Sequence, residues 1–207
     1  MGVTRPNSGL YVITPDMADS TLLLHKVEQV LKGRVALLQY RDKTSNPEQR
    51  LLMARALHTL CLKYKTPLII NDDPQLALAC HAEGVHLGQS DGSIKVARTL
   101  LGEKAIIGMT CHHDISLAIA AQKQGANYVA FGRFFHSSTK PGEPLATTDL
   151  LKKAAKQLSI PIVAIGGLTL KNAEPIIKAG ANYTAVVDAA FSSSGIAKTC
   201  QQFAKLF

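Results

Sequence analysis

Gln124-Gly125-Ala126-Asn127-Tyr128-Val129 and, further along the chain, Ala179-Gly180-Ala181-Asn182-Tyr183-Thr184 repeat one local design. In each, a Gly closes a stretch of helical period and a short strand-like run follows at once, so a helix C-terminus passes directly into a strand. Glu83-Gly84-Val85 is a weaker third copy. A βα unit used many times favours a closed barrel over an open, doubly wound sheet.

Outward from these copies, short runs rich in Val, Ile and Leu alternate with longer segments of helical period, the pattern of βα units around a parallel sheet. The runs number eight: Leu10 to Thr14, Val35 to Tyr40, Leu68 to Ile70, Gly84 to Leu87, Ala105 to Met109, Tyr128 to Phe131, Ile162 to Ile165 and Thr184 to Val187. Asn46-Pro47 and Asp73-Pro74 each set a capping side chain before a Pro at the first helical position. The predicted fold is a single (β/α)8 barrel over residues 1–207, with its chemistry on the loops at the C-terminal ends of the strands. No Gly-x-Gly-x-x-Gly follows the first strand, where Val12-Ile13-Thr14-Pro15-Asp16 stands, so a dinucleotide site loses its main support.

Composition agrees with one globular domain: 207 residues, 46% apolar and 18% charged, with no Trp. The longest apolar runs, such as Pro161 to Ile165, are strand-sized, and no charged segment followed by an apolar stretch opens the chain, so a cytoplasmic protein with no membrane partner is expected. Cys61, Cys80, Cys111 and Cys200 lie far apart, which suggests neither a zinc site nor a disulfide framework. The net charge of +8 is scattered, without a basic run or interleaved aromatics. That argues against nucleic acid and leaves small anions as the partners to look for. Nothing in the sequence sets an oligomeric state, and a homo-oligomer is compatible with it.

The second strand runs into Gln39-Tyr40-Arg41-Asp42-Lys43, and strand period puts Gln39, Arg41 and Lys43 on one side with Tyr40 and Asp42 opposite. Arg can grip phosphate oxygens in a fork and Lys adds a compact charge, so the inward set suits a diphosphate. The third strand ends Asn71-Asp72-Asp73-Pro74, where Asp73 is the helix cap and Asn71 and Asp72 are left at the mouth. The fourth ends His86-Leu87-Gly88-Gln89-Ser90-Asp91. Asp72 and Asp91, on neighbouring strand ends, can share one Mg²⁺, which takes one or two carboxylates and fills its other positions with water and phosphate oxygens. Asp91 has a second reading, as the cap of the helix starting at Gly92. His86 reads as a hydrogen-bonded core residue rather than a ligand, because Mg²⁺ prefers oxygen.

Thr110, after the fifth strand, offers a hydroxyl, while Cys111, His112 and His113 do not form a catalytic pair, since strand neighbours point to opposite faces. The longest loop, Gly132 to Pro144, has a hydroxyl-rich tip ending in Lys140 and reads as an anion clamp. Ile165-Gly166-Gly167 ends the seventh strand without side-chain obstruction, and the loops after strands seven and eight are the recurrent phosphate site of this architecture.

Read in order, these strand ends resemble the thiamine phosphate synthase family. Leu10-Tyr11-Val12-Ile13-Thr14, the Gln39, Arg41 and Lys43 set, Ile70-Asn71-Asp72, and Gly84 to Gln89 with Asp91 carry the likeness. So do Ser138-Thr139-Lys140-Pro141 and Ala164-Ile165-Gly166-Gly167. The resemblance implies a transferase that joins an aminopyrimidine diphosphate to a thiazole phosphate with release of pyrophosphate, by a dissociative substitution. It implies that Gln39, Arg41, Lys43, Asn71, Thr110 and Lys140 hold the pyrimidine diphosphate, with Arg41, Thr110 and Lys140 closest to catalysis. Asp72 and Asp91 would bind Mg²⁺, and Ser137, Ser138, Thr139, Gly167, Val187 and Asp188 would hold the thiazole phosphate. Thr110 stands where Ser is usual in the family, Phe135-His136-Ser137 where Phe-Pro-Thr is usual, and Asp188 where Ser is usual. A carboxylate facing phosphate would repel it, so Asp188 is expected to approach only through its backbone N–H or to turn its side chain away. Two other readings stand beside the synthase: a thiazole tautomerase-like isomerase, and a non-catalytic binder of thiamine precursors.

Overall fold

Strands too short to stand alone are stable here because each pairs on both sides. The computed structural model describes residues 6–136 and 146–207. Along the chain come β1 (Gly9–Ile13), α1 (Ser20–Lys32), β2 (Leu37–Tyr40), α2 (Pro47–Tyr64), β3 (Leu68–Asn71), α3 (Pro74–Ala79), β4 (Gly84–Leu87), α4 (Ile94–Leu101) and β5 (Ile106–Thr110). Then follow α5 (Ile115–Lys123), β6 (Tyr128–Gly132), α6 (Thr148–Gln157), β7 (Ile162–Ile165), α7 (Ala173–Lys178), β8 (Tyr183–Val186), α8 (Asp188–Phe191) and α9 (Ile196–Ala204). The strands are parallel and close in sequence order, β8 returning to β1 through pairs such as Leu10 with Thr184. The expected (β/α)8 barrel is therefore the fold.

Strand alternation builds two apolar layers. Tyr11, Leu37, Ile69, Ile106, Tyr128, Val163 and Tyr183 fill the lumen, while Leu10, Leu38, Ile70, Val85, Ile107, Val129 and Phe131 face the helices. Helices answer with stripes of matching period: Leu23, Val27, Val30 and Leu31 on α1, and Ile196, Cys200 and Phe203 on α9. Asn46 caps α2 in a reciprocal box with Gln49, and Asp73 caps α3 by accepting from Leu76 N, both as the Asn-Pro and Asp-Pro pairs predict.

The repeat at Gln124 to Val129 and Ala179 to Thr184 has a structural cause. Asn127 and Asn182, each just before a strand, accept through Oδ1 from Ile107 N and Ile162 N at the start of the preceding strand. Glu83 does the same for Leu68 N through Oε2, so the weaker copy is the same device with a longer acceptor. Each side chain gives a partner to an N–H at the start of the preceding strand. The second strand begins at Leu37 rather than Val35, because Arg34 adopts a left-handed φ of 61° and delays the ladder. The last runs Tyr183–Val186, since Val187 turns to ψ −81° ahead of α8. Among the described residues no helix is long and apolar enough to cross a membrane.

Candidate active site

At the end of β2 the alternation turns one side chain inward and the next outward. Gln39 is buried in the lumen, where its Nε2 donates to Tyr11 OH at 2.7 Å. Tyr40 is buried outside the barrel and donates to Asp42 Oδ2 at 3.0 Å. Burial works against the Asp42 carboxylate, but hydrogen bonds from Ser45, Thr44 and Tyr40 outweigh it and hold its pKa well below the usual range. Asp42 thereby shapes the loop that presents Lys43.

Arg41 and Lys43 emerge at the mouth already paired. Arg41 Nη1 donates to Asp16 Oδ2 at 2.7 Å, and Asp16 Oδ1 accepts from Lys43 N at 2.7 Å. Lys43 Nζ meets Asp72 Oδ2 at 2.6 Å, and Asn71 Nδ2 donates to the same oxygen at 2.6 Å. The mouth is thus more nearly balanced in charge than the row of cations alone implies. Asp16, in the loop after β1, went unnoticed in the sequence because its partner lies on another strand and no local pattern marks the pair.

Asp72 stands at the β3 end with φ 63°, a left-handed conformation in which Asp and Asn are among the residues best tolerated. Its N–H donates to His86 O at 2.7 Å, tying this strand end to β4. Asp91 does not cap the next helix: Ser93 is the N-cap of α4, and Asp91 Oδ2 instead accepts from Gly88 N at 2.9 Å within its own turn. The capping reading fails because the helix starts later than Gly92, at Ile94. Among the described residues no group of three or more His, Cys, Asp or Glu is placed to hold a metal alone. Asp72 and Asp91 stand on successive loops and offer carboxylate oxygens, the hard donors that Mg²⁺ takes.

His86 is the core residue expected, 8% exposed, with Nδ1 3.0 Å from Tyr128 OH and Nε2 2.8 Å from Thr110 Oγ1. Cys111 is buried, and burial pushes its thiol up to about 12, so it is no nucleophile at neutral pH. At the end of β7, Cβ atoms on Gly166 and Gly167 would run into Arg133 and into Phe135 and His136. The glycines therefore let the loop after β6 pack against β7, through Phe134 N to Ile165 O and Phe135 N to Gly166 O, a reason beyond the ligand access read from the sequence.

These strand ends surround a cavity of about 420 Å³ lined by Gln39, Arg41, Asn71, Thr110, Gly167, Val187 and Asp188, together with His86, His112, Arg133, His136 and Thr169. Its size lies within the usual range for small-molecule sites. Asp188, exposed at the start of α8, contributes to the lining. Lys43 and Asp72 adjoin the cavity through Asn71, whereas Asp91 is outside the lining. Ser137, Ser138, Thr139 and Lys140 lie outside the described residues. Arg133 and Thr169 were missed in the sequence, where each reads as an ordinary loop residue. A more open hollow of about 590 Å³ at the opposite rim, by Asn127, Pro161 and Asn182, is lined by no charged residue among those described.

A barrel whose C-terminal mouth gathers Arg, amide and hydroxyl groups around a cavity of this size has the layout of an enzyme site for a small molecule. The profile of the family described as thiamine monophosphate synthase matches residues 10–190, and the chain belongs to that family. It is 52% identical to the thiamine-phosphate synthase of Marinobacter nauticus over 194 residues, 92% of this chain and 87% of that protein. Against the enzyme of the same name from Methylobacillus flagellatus it is 50% identical over 202 residues, 98% of this chain and 96% of the other. The solved structure of thiamine phosphate pyrophosphorylase from Pyrococcus furiosus superposes with a TM-score of 0.86 at 28% identity, covering 98% of this chain and 96% of that one.

Proposed function

We propose that the chain is a transferase of thiamine biosynthesis, condensing an aminopyrimidine diphosphate with a thiazole phosphate to give thiamine phosphate and pyrophosphate. The observation that carries this reading is the convergence of Gln39, Arg41, Asn71 and Thr110 with Gly167 and Val187 on one cavity, in a chain half identical to enzymes of that name.

Arg41 and Lys43, with Lys140, face the diphosphate in this reading. The C–O bond to the ring methylene breaks, both electrons leave with pyrophosphate, and the ring's amino group shares the positive charge left on carbon. The thiazole nitrogen then gives its lone pair to that carbon and forms the new C–N bond. The protein positions the two reactants and needs no covalent intermediate of its own. Asp72 and Asp91 would hold Mg²⁺, which when bound supplies charge stabilisation for the departing diphosphate. Asp16 keeps the Arg41 fork oriented until phosphate oxygens replace the carboxylate. Ser137, Ser138, Thr139, Gly167 and Val187 would receive the thiazole phosphate, with Asp188 contributing its backbone. A cytoplasmic location belongs to the same reading, as the setting of a small-molecule biosynthetic enzyme.

Omission controls test it. Product analysis of the purified protein with both substrates and Mg²⁺ should find thiamine phosphate, and leaving out either substrate should abolish it. Isomerised thiazole phosphate formed without the pyrimidine would favour the tautomerase instead, and tight binding without product would favour the precursor-binding protein.

A further inference from the structure

Gln39 at the end of β2 and Thr110 at the end of β5 are joined through the lumen by one buried chain of hydrogen bonds. Gln39 Nε2 donates to Tyr11 OH at 2.7 Å, and the Tyr11 and Tyr128 hydroxyls lie 2.8 Å apart. Tyr128 OH is 3.0 Å from His86 Nδ1, and His86 Nε2 is 2.8 Å from Thr110 Oγ1. The rings pack as well as bond: Tyr11 meets Tyr128 edge-on at 5.9 Å, and His86 stacks on Tyr128 at 5.5 Å.

Each phenol has one proton to give and can accept more than one, so the direction of the chain follows from where the buried Tyr11 proton finds an acceptor. Burial pushes the Tyr11 pKa up, which keeps that proton in place. With Gln39 donating to Tyr11, the arrangement that gives the buried Tyr11 proton an acceptor has Tyr11 donate to Tyr128 and Tyr128 donate to His86 Nδ1. A neutral imidazole that accepts at Nδ1 carries its proton on Nε2, and this proton goes to Thr110. In this arrangement Thr110 Oγ1 accepts from His86, which leaves its own proton for the cavity that Thr110 lines. At the other end Gln39 spends an N–H on Tyr11 and presents Oε1 as an acceptor.

We propose that His86 is a positioning residue: held as the Nε2–H tautomer by Tyr128, it fixes Thr110 as a donor toward a ring nitrogen of the aminopyrimidine while Gln39 accepts from an N–H. The inference rests on the reading that Gln39 and Thr110 hold the aminopyrimidine. A ring with an amino donor beside ring-nitrogen acceptors matches that polarity.

Nitrogen-15 NMR of the histidine rings reads the tautomer in the free protein, so this outcome is separate from whether product forms. His86 should show Nε2 protonated and Nδ1 bare; an Nδ1–H ring or a cationic ring would overturn the proposal. Tyr128→Phe keeps the packed ring and removes the proton offered to Nδ1. It should release the tautomer preference and weaken aminopyrimidine diphosphate binding about three- to tenfold, leaving thiazole phosphate affinity within about twofold. His86→Gln, which can place an amide N–H where Nε2 stands, should retain more of that affinity than His86→Leu. An unchanged tautomer and affinity in Tyr128→Phe, or equal losses in the two His86 variants, would refute the positioning role.

Discussion

Asp72→Asn separates a functional carboxylate from a structural one. The substitution keeps size and shape, and Asn, like Asp, tolerates the left-handed φ of 63° found there. It removes the charge opposite Lys43 Nζ, 2.6 Å away, but the two side chains are 52% and 25% exposed. A pair so open to solvent contributes about 1 kcal/mol or less to folding, which for a chain of this size is about 2–4 °C in Tm. Asn71 keeps an acceptor, because the Asn amide oxygen can take its N–H. If Asp72 holds Mg²⁺ at the diphosphate, the same change removes a hard ligand where charge develops. Turnover should then fall about 100-fold or more, close to 3 kcal/mol of transition-state stabilisation. Pyrophosphate release followed across a Mg²⁺ titration, beside a thermal melt, gives both quantities. The half-saturating Mg²⁺ concentration should rise about tenfold or more. Activity within about threefold of the parent at every Mg²⁺ concentration, with an unchanged melt, would refute the metal role of Asp72.

Other consequences follow from the packing and the charges. Gly108→Ala places a Cβ against the Tyr128 ring; it should cost about 1–3 kcal/mol by overpacking, measured by urea unfolding, and disturb the lumen chain. All four cysteines are buried, so thiol titration with a disulfide reagent should be slow in the native protein and complete only in denaturant. Asp42 titrates below its ordinary value of 3.8 in the folded state, so its contribution is present above that value and lost as pH falls through the lower folded one. Asp42→Ala should therefore destabilise the protein at neutral pH, and the gap to the parent in a melt should close only as pH drops below about 4.

The barrel was legible because its unit repeats: Gly followed by Asn and Tyr marks a helix end, a strand start and a side chain closing the neighbouring strand, all within six residues. Strand alternation likewise placed Gln39 and Tyr40 on opposite faces. Meetings across the lumen were not legible. Tyr11, His86 and Tyr128 come from strands 1, 4 and 6, and their hydrogen bonds depend on ring orientation, which no local period encodes. The pairing of Asp16 with Arg41 was hidden for the same reason, since a loop carboxylate shows no preference in sequence for a partner 25 residues away. Asp91 illustrates the converse: a capping residue beside a Gly suggested a helix start, but the turn needed its carboxylate for Gly88 N and Ser93 took the cap.

The most direct test of the synthase reading is a mass balance. Purified protein given the aminopyrimidine diphosphate, the thiazole phosphate and Mg²⁺ should form thiamine phosphate and pyrophosphate in equal amounts, stop on addition of EDTA, and resume when Mg²⁺ is restored in excess. Absence of thiamine phosphate with both substrates saturating and Mg²⁺ present would contradict it.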